Sequence, residues 1–302
     1  MTKNPPYLQK DDTIGLVCPA GYMAVDKIQS CINTLQDWGY RVKIGNTIGK
    51  DPVNYFSGTD EERLNDFQQM LDDDEVKAIL CARGGYGSSR IIDQLSFKHF
   101  KDNPKWIIGY SDVTVLLSHI YRNFKITSLH APMAAAFNNE GYKSDFVLSL
   151  KEALEGKTMR YTLDAHELNR KGEGIGELVG GNLSILAHLI GSSSEIKTKG
   201  RLLFIEDVGE YYYKIDRMLL QLKRAGKLDS LAGLIVGGFT DMQDTTMKFG
   251  QEIHEIIFDK VKEYDYPVCF NFPVGHQTNN YPLKVGAGYK LKVGKNKVVL
   301  EE

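Results

Sequence analysis

The stretch TIGLVCPAGYMAVDKIQSCINTLQDWGYRVKIG, residues 13–45, decides the fold class because its hydrophobic period changes twice. Residues 13–18 form an apolar run that predicts a strand, residues 24–39 have helical spacing that ends at Gly39, and residues 40–45 predict a second strand. Two strands joined by a helix of this length favour parallel pairing with a right-handed crossover. The stretch therefore predicts an α/β domain.

The same alternation continues from residue 45 to about residue 132. Helical patterns at 60–74 and 113–124 alternate with apolar runs, which predict three further strands at 76–82, 106–110 and 126–132. We therefore predict an amino-terminal parallel-sheet lobe in residues 1–155. In such sheets the functional groups gather at the carboxyl ends of the strands.

The second half of the chain has a different pattern. Residues 156–178 are polar and predict a connection, and residues 179–302 predict a β-rich α+β lobe. The elements expected in this lobe are strands at 201–207 and 233–239, helices at 211–226 and about 249–264, and a β-meander at 283–302.

Composition narrows the class of protein. The chain has 302 residues, a formal net charge of −2 and no long run of basic residues, which argues against nucleic acid or an anionic membrane as a partner. The polar amino terminus has no apolar leader, and no CxxC pair occurs, so we expect a cytoplasmic protein with buried free thiols, no cofactor and no metal site. The cysteines are Cys18, Cys31, Cys81 and Cys269.

The segment GYSDVTVLL, residues 109–117, has two interpretations. Ser111 can cap a helix, with Asp112 favourable in its first turn. Alternatively, Ser111 is a nucleophile on a tight strand-to-helix turn, where free N–H groups at the helix start stabilise an oxyanion. The hydrolase motif G-x-S-x-G is only half met, because residue 113 is not glycine. The local sequence leaves both interpretations open.

The segment ARGGYGSSR, residues 82–90, follows the third predicted strand. Its glycines allow a backbone turn that supplies one oxyanion donor near Gly85, while the N–H of Asp112 supplies the other. Arg83 can pair with a carboxylate through two hydrogen bonds. A phosphate-binding loop is a weaker alternative, since neither GxGxxG nor GxxxxGK[ST] is present, and a simple glycine-rich turn also fits.

A nucleophilic serine needs a base and a group that orients the base. His276 is the candidate base, because FPVGHQTNN, residues 272–280, predicts a loop after an apolar run. Glu206 ends the predicted strand 201–207 and is the candidate orienting carboxylate; Glu210 is an alternative, and either acid can instead cap a helix. The other histidines are His99, His119, His130, His166, His188 and His254, of which the second and the last two fall in helical patterns.

Six segments together resemble the LD-carboxypeptidases, serine peptidases that act on murein tetrapeptides. These segments are RGGYGSSR (83–90), GYSD (109–112), HAPM (130–133), GGNLSIL (180–186), LFIEDVGEYYYKIDRML (203–219) and FPVGH (272–276), in this order. The resemblance covers nearly the whole chain. It implies a Rossmann-like amino-terminal lobe, a β-rich carboxy-terminal lobe and a homodimer.

The resemblance also implies roles for individual residues. Ser111 would be the nucleophile, His276 the general base and Glu206 its orienting group, with oxyanion donors near Gly85 and Asp112. The expected substrate is a small cytoplasmic muropeptide of peptidoglycan recycling, cleaved before its terminal D-alanine. We expect Arg83, or the amides around Asn182, to hold the carboxylate of that D-alanine.

Two other functions remain open at this stage. Microcin-immunity peptidases share the chemistry and cleave aminoacyl-nucleotide antibiotics, but they carry an extra aromatic-bearing loop. The two tryptophans here, Trp38 and Trp106, occupy core-like positions in the first half of the chain. A non-catalytic two-lobed binding protein would explain the α/β pattern and leave Ser111 as a helix cap.

Overall fold

Strands and helices alternate through the first half of the chain in the computed structural model, which describes residues 2–50, 52 and 54–302. Two compact units are present, and the first runs to Lys157 and adds Tyr281–Lys284. The elements up to Lys157 are β1 Thr13–Val17, α1 Gln29–Asp37, β2 Arg41–Ile44, α2 Asp60–Asp72, β3 Val76–Cys81, α3 Ser88–Ile91, α4 Lys98–Asp102, β4 Trp106–Gly109, α5 Thr114–Phe124, β5 Ser128–His130 and α6 Asp145–Leu154.

The second unit comprises Thr158–Asn280 and Val285–Glu302. From Thr158 onward the elements are β6 Arg160–Asp164, β7 Gly172–Asn182, α7 Leu183–His188, β8 Leu202–Val208, α8 Tyr212–Arg224, β9 Gly233–Thr240, α9 Ile253–Val261, β10 Val268–Cys269, β11 Leu283–Val285, β12 Gly288–Val293 and β13 Lys297–Glu301. The first two residues of β11 therefore belong to the first unit, and its last residue begins a segment of the second.

A six-stranded sheet forms the centre of the first unit, in the order β11-β5-β4-β3-β1-β2. The pairs from β5 to β2 are parallel, with Leu16 opposite both Leu80 and Ile44. Strands β1 and β4 are buried throughout, which explains why they read as continuous apolar runs. The edge strand β2 is mostly exposed. The parallel-sheet prediction is confirmed.

A seven-stranded mixed sheet forms the second unit, in the order β10-β9-β8-β7-β12-β13-β6. Strands β7 to β10 pair in parallel, whereas β12, β13 and β6 add antiparallel ladders. The predicted strands at 201–207 and 233–239 correspond to β8 and β9. The unit is therefore a β-rich α+β lobe, as predicted.

Two segments differ from their sequence-based predictions. The polar stretch 156–178 contains β6 and the first part of β7. The sequence does not predict these strands because charged residues and glycines hide the alternation of apolar and polar residues in an edge strand and in a half-exposed strand. The tail 283–302 is not one meander, since β11 joins the six-stranded sheet and β12 pairs with β13. A period of two predicts a strand but does not identify its partner.

Among residues 2–50, 52 and 54–302, no helix combines the length and the apolar character that a membrane crossing requires.

Candidate active site

Ser111 lies on a strained turn at the carboxyl end of β4. After Gly109 the chain is extended at Tyr110, and Ser111 then takes a φ of +63°, in the left-handed region. The residue opens a 3₁₀ turn, Ser111–Val113, which leads directly into α5. A left-handed conformation costs a non-glycine residue about 1–2 kcal/mol, and such strained residues are enriched at functional sites.

The capping interpretation of Ser111 does not describe this turn. The residues that cap the 3₁₀ turn and α5 are Tyr110 and Val113, and neither cap has a side-chain hydrogen bond. Ser111 instead projects from the strand-to-helix junction and is half-buried. This geometry, in which a strand, a strained residue and a helix follow one another, is that of a nucleophile elbow.

The strain at Ser111 predicts that glycine is tolerated better than alanine at this position. We expect Ser111→Gly to be more stable than Ser111→Ala by about 0.5–1 kcal/mol, because glycine tolerates positive φ and alanine does not. Urea unfolding of the two variants measures the difference. Equal stability, or a more stable alanine variant, would show that the turn at Ser111 carries no such strain.

The glycine loop, which we define as Arg83–Ser88, passes directly against Ser111. A Cβ built on Gly84 would lie 2.9 Å from the Cβ of Ser111, 3.1 Å from its Oγ and 3.4 Å from the backbone N of Asp112. Only glycine allows the backbone to come this close. The predicted oxyanion donors, Gly85 and Asp112, therefore lie on two segments that meet at Ser111.

Arg83 connects the glycine loop to the loop that follows β1. Its side chain is exposed, and its Nη1 donates a hydrogen bond to the carbonyl of Tyr22 at 2.7 Å. The loop after β1 is tied to the same place by a 3.0 Å hydrogen bond from Gly21 N to Gly84 O. The Arg83 guanidinium has five N–H donors, so this contact leaves donors that can reach a ligand carboxylate.

In the second unit, Glu206 and His276 form a hydrogen-bonded pair. Glu206 Oε2 lies 2.6 Å from His276 Nδ1 and accepts a second hydrogen bond from the backbone N of His276 at 3.1 Å. The Glu206 side chain is fully buried, whereas that of His276 is 19% exposed. Glu210, the alternative carboxylate, instead pairs with Lys214.

The backbone around His276 holds the imidazole close to Glu206. Gly275 has a φ of +100°, and a Cβ built on it would lie 2.5 Å from both the Cβ and the Oε2 of Glu206. Asn280 Oδ1 accepts a hydrogen bond from Gly275 N at 2.8 Å, and Thr240 Oγ1 donates one to the carbonyl of His276 at 2.5 Å. The glycine that precedes His276 is therefore required for its contact with Glu206.

The surroundings of His276 raise its pKa above the ordinary histidine value. Burial alone lowers the pKa, but the hydrogen bond to Glu206 and the negative charges of Glu206 and Asp207 more than offset this effect. Burial also raises the pKa of Asp207, against the hydrogen bonds that it accepts. A neutral His276 in this setting is a strong proton acceptor, and its protonated form is stabilised by Glu206.

The side chain of Asn182 makes hydrogen bonds within the second unit. Its side-chain oxygen caps α7 by accepting the N–H of Ile185 at 3.2 Å, and its Nδ2 donates to Asp207 Oδ1 at 2.9 Å. The second oxygen of Asp207 accepts hydrogen bonds from the N–H and the hydroxyl of Ser184. The side-chain oxygen of Asn182 and its Nδ2 are thus both engaged within the protein.

The other histidines include His130, which ends β5 with its ring centre 5.7 Å from that of Tyr110. His119, His188 and His254 are in α5, α7 and α9, as their helical spacing predicts. The described part of the chain holds no group of three or more His, Cys, Asp or Glu side chains that could bind a metal ion.

Two charged side chains near Ser111 are buried, and nothing in the sequence indicates this burial. Arg63 lies in the highly charged run DEERLNDF, yet it is fully buried. The sequence indicates a role for the backbone N–H of Asp112, and the structure shows that its carboxylate is buried too, with 1% exposure. Neither a charged helical segment nor an acid in a first helical turn predicts a buried charge.

The chain matches two family models. Residues 14–131 match the LD-carboxypeptidase N-terminal domain, and residues 175–291 match the LD-carboxypeptidase C-terminal domain.

Similar proteins of known name cover almost the full length. The probable murein peptide carboxypeptidase of Bacillus subtilis is 35% identical over 98% of this chain and 94% of its own. The murein tetrapeptide carboxypeptidase of Pseudomonas aeruginosa is 27% identical over 89% of this chain and 90% of its own.

Solved structures are similar over the same extent. The muramoyltetrapeptide carboxypeptidase from Oxalobacter formigenes matches with a TM-score of 0.87 and 26% identity, over 96% of this chain and 98% of its own. MccF in complex with glutamyl sulfamoyl guanosine matches with a TM-score of 0.85 and 23% identity, over 98% and 97% of the two chains. The second likeness is one of fold alone.

Proposed function

The chain belongs to the LD-carboxypeptidase family of hydrolases, and we propose that it is a serine carboxypeptidase that releases the terminal D-alanine of murein tetrapeptides. The observation that carries this proposal is the strained Ser111 between β4 and α5. A strand-to-helix turn with a serine at positive φ is costly in a fold that does not use it. Relatives named as murein peptide and murein tetrapeptide carboxypeptidases support the substrate class.

The proposed mechanism uses Ser111, His276 and Glu206. His276 takes the Ser111 proton as Oγ attacks the carbonyl before the D-alanine, which forms a tetrahedral intermediate. Because Nδ1 of His276 bonds Glu206, the accepting nitrogen is Nε2. The C–N bond then breaks, and His276 gives its proton to the departing D-alanine amine. A water molecule, deprotonated by His276, hydrolyses the acyl-enzyme and restores the Ser111 hydroxyl.

Two backbone N–H groups are proposed to stabilise the oxyanion. The close contact of Gly84 with Ser111 supports Gly85 and Asp112 as the donors. Loss of one such donor typically costs an acyl-transfer enzyme about 3 kcal/mol of transition-state stabilisation. The start of the helical segment after Ser111 adds positive potential at the same place.

We assign recognition of the D-alanine carboxylate to Arg83 rather than Asn182. Arg83 is exposed on the glycine loop and has donors that its contact with Tyr22 does not use. The side chain of Asn182 caps α7 and binds Asp207, so the alternative donors around this residue are the backbone amides alone.

The proposal also includes the cellular compartment and the oligomeric state of the protein. All four cysteines are buried and free, which supports a reducing, cytoplasmic setting. A role in peptidoglycan recycling is supported by the relatives named as murein peptide carboxypeptidases. We also propose that the chain works as a homodimer. The family resemblance is the support for the dimer.

The substrate proposal is tested with a pair of peptides that differ at one stereocentre. The protein is incubated with L-Ala-D-Glu-mesoDAP-D-Ala and with the same peptide ending in L-alanine, and products are identified by mass spectrometry. We expect free D-alanine and tripeptide from the first peptide and little cleavage of the second. Intact tetrapeptide alongside turnover of aspartyl sulfamoyl adenosine would favour a microcin-immunity activity, and cleavage of the tetrapeptide at another bond would contradict the proposed specificity.

A further inference from the structure

Two buried side chains of opposite charge meet a single peptide group of the glycine loop. Arg63 Nη1 donates a hydrogen bond to the carbonyl of Gly87 at 3.1 Å, and Asp112 Oδ2 accepts one from the N–H of Ser88 at 2.8 Å. These two groups belong to the same peptide unit, 87–88. We propose that Arg63 and Asp112 are positioning residues that clamp this peptide and thereby hold the glycine loop against Ser111, an inference that rests on the proposed function.

Arg63 is anchored independently of the loop. Its side chain is fully buried on α2, and Nη1 also donates to the carbonyl of Pro19 at 2.5 Å. Nη2 pairs with Asp60, and the guanidinium lies 4.8 Å from the centre of the Phe56 ring. A guanidinium held on this many sides has one orientation, so its contact with Gly87 O is fixed in direction.

Asp112 is anchored by its position in the chain. It directly follows Ser111 in the 3₁₀ turn, so a group bonded to its carboxylate is coupled to the nucleophile turn through only a few covalent bonds. Its carboxylate is 1% exposed, and burial raises its pKa against the hydrogen bonds from Ser88 and Gly87 and the charge of Arg63. A carboxylate buried in this way is costly, which is unexpected for a residue that only fills space.

The signs of the two charges match the dipole of the peptide that they hold. The cation faces the carbonyl oxygen and the anion faces the N–H, so each charge strengthens the hydrogen bond that it makes. Rotation of this peptide would break both bonds at once. Since Gly85 and Gly87 both have positive φ and no side chain to restrict them, the clamp supplies rigidity that the loop lacks.

The clamp has a kinetic signature that differs from a general structural role. Oxyanion donors bind the transition state more strongly than the substrate, so their displacement lowers kcat and leaves KM nearly constant. We expect Asp112→Ala to lower kcat about 10- to 100-fold, with KM within about twofold of the wild-type value. Asp112→Asn keeps an oxygen that can accept the Ser88 N–H and should recover most of that loss.

Asp66 provides a matched control. It is also a buried carboxylate of the first unit, 3% exposed, and lies on α2, the helix that carries Arg63. It accepts hydrogen bonds from the backbone of Asn46 and Thr47, in a different loop. Asp66→Ala should lower the melting temperature without changing kcat.

Amide hydrogen exchange separates failure of the clamp from failure of the proposed function. We expect Asp112→Ala to speed exchange in residues 84–88 whether or not the protein turns over murein peptides, and Arg63→Gln supplies the same test if the first variant does not fold. If the variants exchange faster but the wild-type protein does not turn over murein peptides, the clamp stands and the proposed function is wrong. An active wild-type protein whose folded Asp112→Ala and Arg63→Gln variants keep wild-type kcat and wild-type exchange would overturn the clamp.

Discussion

Ser111→Ala is expected to reduce the release of D-alanine from the tetrapeptide by about 10⁴-fold or more, because loss of the nucleophile in a serine triad removes the covalent route altogether. The residual rate would come from substrate binding and the oxyanion donors alone. Tetrapeptide affinity, measured by calorimetry, should stay close to that of the wild-type protein. Product formation followed by chiral chromatography gives the rate.

Ser118→Ala is the matched control for this substitution. Ser118 lies on α5, close in sequence to Ser111, and its side chain is buried with 1% exposure. We expect near-normal turnover from this variant. Turnover by Ser111→Ala at a comparable level would eliminate the serine mechanism, and binding without turnover by the wild-type protein would favour the two-lobed binding protein.

The second large effect concerns the pH dependence of kcat/KM. His276 acts as a base only when it is neutral, and its pKa is raised by Glu206. Activity should therefore fall as the pH drops through a midpoint above about 6.5, the ordinary histidine value. Glu206→Gln removes the negative charge, so the acidic limb should move to lower pH while the plateau falls by about 10²–10⁴-fold.

His254→Gln is the matched control for changes at His276. His254 is a half-buried histidine of the same unit, and burial, together with His166, lowers its pKa. Its substitution should leave the acidic limb of the profile in place. An acidic limb that stays where it is in Glu206→Gln, or one that moves in His254→Gln, would mean that the pair of Glu206 and His276 does not control activity.

Much of the fold could be predicted from local sequence patterns. Strands β1 and β4 are buried throughout and form unbroken apolar runs, and β3 is interrupted only by the exposed Lys77. Helix α2 is preceded by the N-cap Thr59, with a capping box completed by Glu62. Strands β6 and β7 were missed because their half-exposed residues carry charges and glycines. Their partners depend on contacts distant in sequence, which no local pattern contains.

For the candidate site, the sequence predicts which types of residue take part but does not predict their geometry. A serine after an apolar strand suggests an elbow, but the positive φ of Ser111 requires coordinates. Glu206 and Glu210 are equally suitable carboxylates on sequence, and the hydrogen bond to His276 distinguishes them. The burial of Arg63 follows from the packing of α2 and has no local signature in a run of charged residues.

The central claim is that Ser111 is a nucleophile activated by His276, although the two residues lie in different units of the chain. The most direct test is the rate at which a fluorophosphonate probe modifies the peptide that contains Ser111, measured by mass spectrometry in the wild-type protein and in His276→Gln. We predict a single adduct on Ser111 that forms faster as His276 loses its proton and at least about 100-fold more slowly in the variant. An unmodified Ser111, or equal rates in the two proteins, would contradict the account.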